Sequence, residues 1–256
     1  MKLPMTLPVN AFKAALAAGR QQIGMWNTVP GPVVTEALAC CGYDWVVVDT
    51  EHSLTDVPDT MGMMQALAAH SVSAVVRPAT NDTVLIKRFL DLGAQTLMIP
   101  YVQSAAEAEA AVQAMHYAPR GVRGVSGMTR ANGYGAVKGY FEAAAEELCL
   151  IVQIETALAV ERISGIAAVP GVDALFIEPA DLGMSIGRTG GMADPEVRAL
   201  VERAIKGIVA AGKPAGILVT DPATAKQCIE WGTTFTAVGV DLSLLVAAAR
   251  GLRGQF

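Results

Sequence analysis

Ionisable side chains stand at the point where a buried apolar run of the sequence ends. The segment "VVVDTEHS" carries Asp49, Glu51 and His52 directly after three valines. A carboxylate beside an imidazole suits proton transfer, because Asp49 is close enough in sequence to orient the ring of His52 and to raise its basicity. The spacing predicts an acid/base pair of Asp49 and His52, and we assign Glu51 a structural role.

Three further apolar runs end in polar groups. "VVRP" ends in Arg77, whose planar guanidinium matches a carboxylate or a developing enolate, "VQIE" supplies Gln153 and Glu155, and "IEPAD" supplies Glu178 and Asp181. Two carboxylates without Cys or His suit a hard cation such as Mg²⁺ or Mn²⁺. We therefore predict that Glu155 and Asp181 bind a metal. The alternatives are an ion pair or, for Asp181, a helix cap.

Eight β-branched apolar runs alternate with Ala-rich amphipathic stretches, which predicts alternating strands and helices. These elements must position the polar side chains that follow the apolar runs. The runs cover residues 22–26, 44–49, 73–78, 95–100, 149–155, 173–179, 214–219 and 235–241. They predict an α/β protein, a closed (β/α)₈ TIM barrel forming a single domain over residues 1–256; an open doubly wound sheet is the alternative. In such barrels the strand ends meet at one mouth, so the polar groups should converge.

One connection, at about 117–140, is long and rich in Gly and basic residues, which predicts a mobile lid or a subunit contact.

No lysine ends a strand, so a Schiff-base mechanism is disfavoured and metal-dependent enolisation remains. The net charge of −5, from 24 acidic and 19 basic residues, leaves no basic stripe for nucleic acid. No apolar run reaches membrane-spanning length, and we expect a cytoplasmic protein with four free cysteines.

Several motifs, in order along nearly the whole chain, resemble the HpcH/HpaI aldolase family. They include "GYDWVVVDTEHS", "VVRPATND", "VQIETALAV", "GVDALFIEPADLG" and "AVGVDLSLL". The resemblance implies a barrel of the phosphoenolpyruvate/pyruvate type with a divalent cation, Mg²⁺, Mn²⁺ or Co²⁺. It also implies site roles: metal binding by Glu155 and Asp181, substrate contacts from Arg77, Gln153, Leu218 and the backbone of Pro179 and Ala180, and proton handling by His52 and Asp49.

The activity that the resemblance implies is a class II aldolase that interconverts 4-hydroxy-2-oxo acids with pyruvate and an aldehyde through a metal-stabilised enolate. An oxaloacetate decarboxylase or a carbon–carbon bond-forming synthase is one alternative, and a non-catalytic binding or assembly protein is another. The family pattern has Gly where this chain has Glu178, which leaves open whether that carboxylate points away, pairs with an arginine or joins the metal. A hexamer of trimerised dimers with an exchanged last helix is also implied, although an ordinary eighth barrel helix explains the tail equally well.

Overall fold

A closed barrel of parallel strands forms the centre of the computed structural model, which describes residues 5–256. Residues 1–4 of the predicted domain lie outside the described residues. Each strand pairs with the next along the chain, and the last strand returns to the first. The barrel strands are β1 (Gln22–Asn27), β2 (Trp45–Asp49), β3 (Ser73–Arg77), β4 (Thr96–Ile99), β5 (Cys149–Ile154), β6 (Ala174–Ile177), β7 (Ala215–Leu218) and β8 (Thr233–Val240).

Helices connect the strands on the outside of the barrel. They are α1 (Ala11–Ala17), α2 (Pro32–Ala39), α3 (Val57–Leu67), α4 (Thr83–Asp91), α5 (Ala105–Met115), α6 (Tyr140–Glu147), α7 (Ala157–Glu161), α8 (Ile163–Ala167), α9 (Pro179–Met184), α10 (Pro195–Ala210), α11 (Pro222–Trp231) and α12 (Asp241–Arg253). Several begin at an aspartate whose side chain accepts backbone N–H groups of the first turn, as Asp82 does for α4 and Asp194 for α10. The predicted eight-stranded barrel is confirmed.

The alternation of side chains along each strand sorts residues between the barrel interior and the helices. On β2, Val46 and Val48 pack with the helices, whereas Trp45 and Val47 point into the barrel. Asp49 continues the inward series at the end of the strand where catalytic groups of such barrels lie. We call that end of the barrel the mouth.

Aromatic rings fill the opposite end of the barrel. Phe12 of α1 is fully buried, and its ring lies edge-on 5.7 Å from both Trp45 and Phe235. Phe176 stacks in a tilted arrangement 5.7 Å from Phe235. Edge-to-face aromatic pairs each add about 0.5–1.5 kcal/mol beyond their buried area. This apolar plug makes the barrel a packed core, so solvent reaches the interior from the mouth.

The long connection predicted at about 117–140 is irregular between α5 and α6. It packs against the barrel through Arg123, which is buried, stacks 4.5 Å over the ring of Tyr117 and donates a 2.9 Å hydrogen bond to Asp91 of α4. The segment is therefore attached to the helical layer by a buried ion pair.

The last helix does not cover the barrel as the other long helices do. Of its residues, Asp241 is buried, whereas Leu242, Leu244, Leu245 and Leu252 are all about half exposed or more. Asp241 accepts hydrogen bonds from the β1–α2 connection, which attaches the start of the helix to the barrel. The rest of α12 presents apolar side chains to solvent. Across residues 5–256, no helix combines the length and the apolar character needed to cross a membrane.

We expect Gly216→Ala to destabilise the barrel, because a Cβ at this position would overlap the ring of Phe235 and lie 2.6 Å from Phe176. Forcing a methyl group into a packed core costs about 1–3 kcal/mol. The matched control is Gly165→Ala in α8, where a Cβ meets nothing within 4 Å. Denaturant unfolding should show a loss for Gly216→Ala alone, and equal midpoints for the two variants would contradict the packing argument.

Candidate active site

A buried ion pair between neighbouring strands forms the base of the mouth. Asp49 of β2 and Arg77 of β3 are register partners. Arg77 Nε donates to Asp49 Oδ1 at 2.9 Å and Nη2 donates to Oδ2 at 2.7 Å, with both residues buried. Such bidentate pairing holds the guanidinium in one orientation. Burial favours a higher pKa for Asp49, but the hydrogen bonds and charge of Arg77 outweigh it, so the pKa lies below its ordinary value.

The hydrogen bonds of the Asp49 carboxylate do not include the imidazole of His52, with which the sequence predicted it to pair. Both Asp49 oxygens are bound by Arg77, and Oδ1 also accepts the backbone N–H groups of Glu51 and His52, at 3.0 and 3.4 Å. His52 is exposed, and its side chain acts electrostatically on Glu51 instead. The reason is geometric: Asp49 points inward at the end of β2, where Arg77 is adjacent, whereas the chain after Asp49 turns away from the strand.

Three further groups surround the guanidinium of Arg77. Its Nη1 lies 2.9 Å from Glu51 Oε2 and 3.9 Å from Glu178 Oε1. The ring of Trp26 lies 5.0 Å from the guanidinium carbon, and Trp26 Nε1 donates to Asp49 at 3.3 Å. Burial lowers the pKa of Arg77, but the adjacent carboxylates outweigh burial and raise it above its ordinary value. Glu51 therefore belongs to the site, not merely to its scaffold.

Glu178 follows β6 and points into the mouth, continuing the inward series of Ala174 and Phe176. Its Oε1 accepts a 2.8 Å hydrogen bond from Gln153 Nε2 of the adjacent strand β5. Burial raises the pKa of Glu178 to about 8, although the charge of Arg77 opposes that shift. Of the directions left open for this residue, pointing away is excluded, and its carboxylate borders Arg77.

The two predicted metal ligands differ in burial. Glu155, at the end of β5, is buried, and Asp181 in the first turn of α9 is exposed. Burial, followed by the charges of Glu51 and Asp181, raises the pKa of Glu155 to about 7. The backbone N–H of Tyr101 opposes that rise in pKa, and Tyr101 adopts a left-handed conformation with φ 55°.

Sequence comparison identifies the family. Residues 22–248 match the sequence model of the HpcH/HpaI aldolase/citrate lyase family. The chain belongs to this family.

Individual relatives agree with that assignment. A "Pyruvate aldolase" of Rhizobium etli is 53% identical over 252 residues, covering 98% of this chain and 99% of that protein. A "Hydroxypyruvate/pyruvate aldolase" of Sagittula stellata is 47% identical, covering 98% of this chain and all of that protein (100%). The crystal structure of an HpcH/HpaI aldolase/citrate lyase family protein from Burkholderia cenocepacia superposes with a TM-score of 0.92 at 36% identity, covering 96% of this chain and 99% of that one.

The donor set at the mouth fits the divalent cation that the HpcH/HpaI resemblance implies. Glu51, Glu155, Glu178 and Asp181 interact electrostatically with one another, and Arg77 is the guanidinium among them. Carboxylate oxygens are the donors that hard cations prefer. The described residues contain no cluster of three or more His, Cys, Asp or Glu placed to hold a metal ion. A site with two protein ligands, Glu155 and Asp181, is consistent with that finding.

The remaining positions that the sequence predicted to bind substrate lie at the ends of β6 and β7. Pro179 is buried and Ala180 is exposed at the start of α9, directly after Glu178. Leu218 ends β7 half-buried and packs against the inner barrel cluster.

Two contributors to the site were missed by sequence reasoning, which found nothing comparable at the ends of β1 and β4. Trp26 on β1 contacts both members of the ion pair. The period-two pattern of β1 could have placed Trp26 inward, but no sequence pattern predicts its hydrogen bond to Asp49. Tyr101 contributes a backbone N–H, which no side-chain pattern reports.

We expect Asp49→Ala to lower the free energy of unfolding by about 3 kcal/mol or more, because Arg77 would stay buried with an incomplete set of partners. The double variant Asp49→Ala with Arg77→Met should recover part of that loss, since both charges are then removed. Arg188→Ala removes the exposed pair with Glu196 and should leave the midpoint of denaturant unfolding unchanged. A single Asp49→Ala variant as stable as the wild type would contradict the role of this pair.

Proposed function

We propose that the protein is a divalent-metal-dependent class II aldolase, a carbon–carbon lyase. Its reaction is the reversible cleavage of a 4-hydroxy-2-oxo acid into pyruvate, or a close analogue, and an aldehyde. The observation that carries this proposal is the fixed guanidinium of Arg77 beside a group of carboxylates at the barrel mouth. A cation-binding group of acids next to one oriented arginine suits a substrate that becomes an enolate.

The 2-oxo acid would contact both the cation held by the acids of the mouth and the guanidinium of Arg77. Glu155 and Asp181 would hold the divalent cation, Mg²⁺, Mn²⁺ or Co²⁺, which when bound supplies Lewis-acid polarisation of the 2-oxo group. Arg77 uses Nε and Nη2 on Asp49, so Nη1 is directed to the open side of the pair. It stabilises the negative charge that develops on the substrate oxygen. Asp49 is then a positioning residue that acts through Arg77.

Proton transfer is assigned to His52, the exposed imidazole beside Glu51. In the cleavage direction His52 removes the proton of the 4-hydroxyl, and the bond between C3 and C4 breaks as the aldehyde carbonyl forms. The electron pair of that bond becomes the enolate of pyruvate. Protonation at C3 completes the reaction. Glu51 is paired with Arg77 and interacts electrostatically with His52.

We also propose that the barrel works as a homo-oligomer, with α12 packed on a neighbouring copy. The exposed leucines of α12 support this, because a helix whose apolar side chains stay in water gains little from its own barrel. The resemblance to the family adds a hexamer built as a trimer of dimers.

The enolate step can be tested without knowing the aldehyde. We expect deuterium to enter the methyl group of pyruvate in D₂O when Mg²⁺, Mn²⁺ or Co²⁺ is present, and to stop entering on chelation. Mass spectrometry after a chelator quench measures the exchange with all three metals. Glu155→Gln should slow it by more than the roughly 10–100-fold that loss of an outer metal contact costs.

Glu161→Gln is the matched control, because Glu161 is an exposed glutamate at the end of α7. This variant should exchange like the wild type. Absence of exchange with every metal, or equal exchange in Glu155→Gln, would overturn the proposal.

For the oligomer we expect Leu245→Glu to give a smaller particle, because a carboxylate in an apolar subunit contact is left without a partner. Light scattering after size exclusion measures the mass. Val84→Glu, at an exposed apolar position of α4, should keep the wild-type mass. A wild-type protein that is monomeric at micromolar concentration would refute the role given to α12.

A further inference from the structure

Glu178 alters what the base of the mouth offers to a ligand. Here the carboxylate is buried, accepts a hydrogen bond from Gln153 and lies 3.9 Å from Arg77 Nη1. It therefore adds a carboxyl group directly beside the guanidinium.

The hydrogen bond to Glu178 also fixes the amide of Gln153. A primary amide can offer a ligand either its NH₂ group or its oxygen. Gln153 Nε2 donates one of its two N–H groups to Glu178, and the oxygen Oε1 is buried without a hydrogen-bond donor. A buried acceptor left unpaired costs free energy that an incoming donor recovers. Together the two side chains offer a ligand the unpaired amide oxygen of Gln153 and the second oxygen of Glu178.

The chemistry of candidate 2-oxo acids separates on such a surface. Pyruvate offers a carboxylate and a ketone, which are acceptors only, and its C3 is a methyl group. A hydroxyl on C3 is a donor that Gln153 Oε1 or the second oxygen of Glu178 can accept. Above about pH 8, where Glu178 is ionised, a carboxylate on C3, as in oxaloacetate, would meet a like charge. Sites built for a hydroxyl discriminate strongly, because the analogue without it leaves buried polar groups unpaired.

We propose that Glu178 is a specificity-determining residue at C3 of the 2-oxo acid: with Gln153 it favours a hydroxyl there and disfavours a carboxylate. The inference rests on the proposed function, because it concerns the acid that forms the enolate. C3 is bonded to the 2-oxo carbon, so its substituent lies near the groups that border Arg77. Glu178 acts directly on that substituent and also through the orientation of Gln153.

The test compares three acids in the wild type, Glu178→Gln and Glu178→Gly at about pH 9, which is above the pKa of about 8 of Glu178. Deuterium exchange at C3 gives kcat/KM for hydroxypyruvate and for pyruvate, and release of CO₂ above the metal-only background gives it for oxaloacetate. Wild type should prefer hydroxypyruvate to pyruvate and turn over oxaloacetate least. In Glu178→Gly the preference for hydroxypyruvate should fall about 10-fold or more, as expected for loss of a hydrogen bond to a charged group.

Glu178→Gln separates charge from hydrogen bonding. Its amide oxygen still accepts from Gln153 Nε2, so the ratio of hydroxypyruvate to pyruvate should stay within about 3-fold of wild type. Its neutral side chain should raise turnover of oxaloacetate relative to pyruvate about 10-fold, because the like-charge repulsion is removed. A residue that only stabilises the fold would not change the ratio of oxaloacetate turnover to pyruvate turnover.

Ratios that stay at wild-type values in both variants would overturn the specificity role, and so would a wild type that prefers pyruvate or oxaloacetate. If Glu178→Gly fails to fold, the oxaloacetate ratio of Glu178→Gln decides alone. A wild type that exchanges neither pyruvate nor hydroxypyruvate with any metal refutes the proposed function itself, and this inference with it. If deuterium exchange occurs but the substrate ratios are the same in the wild type and both variants, the specificity role of Glu178 is refuted and the proposed function is not.

Discussion

The site depends on one buried ion pair, Asp49 with Arg77. A buried guanidinium is costly unless its hydrogen bonds and its charge are both compensated. Asp49 does this through two hydrogen bonds from Nε and Nη2, so Nη1 is the group directed toward Glu51 and Glu178. Glu51 and Glu178 thus lie beside a charge whose position β2 and β3 have already fixed by their register.

Charge balance is the second constraint. The acids bordering the mouth outnumber the guanidinium, and burial without enough compensation raises the pKa of Glu155 to about 7 and of Glu178 to about 8. Such a site gains free energy from any group that supplies positive charge, which is the physical reason that a divalent cation fits here. The rest of the barrel interior is a packed aromatic core, which meets the mouth at Trp26.

Much of this arrangement was predictable from the sequence, and the exceptions share a cause. The strand pattern predicted the barrel, and polar residues at strand ends predicted that Arg77, Gln153 and Glu155 converge. Nearness in sequence was the wrong guide for Asp49: its partner is Arg77, 28 positions away in the chain but adjacent in the sheet. The backbone contact from Tyr101 could not be predicted, since any residue type carries the same N–H group.

For Glu178, the alternation of side chains along a strand predicts the direction of the side chain but not its hydrogen-bond partner. Ala174 and Phe176 point into the barrel, so a residue two positions later is expected inward as well, and the direction that the sequence left open was decidable by counting. What counting cannot supply is the partner, because the hydrogen bond from Gln153 depends on the register of β5 against β6. The side chain at this strand end therefore sets the hydrogen-bonding character of the surface beside Arg77, because it orients the amide of Gln153.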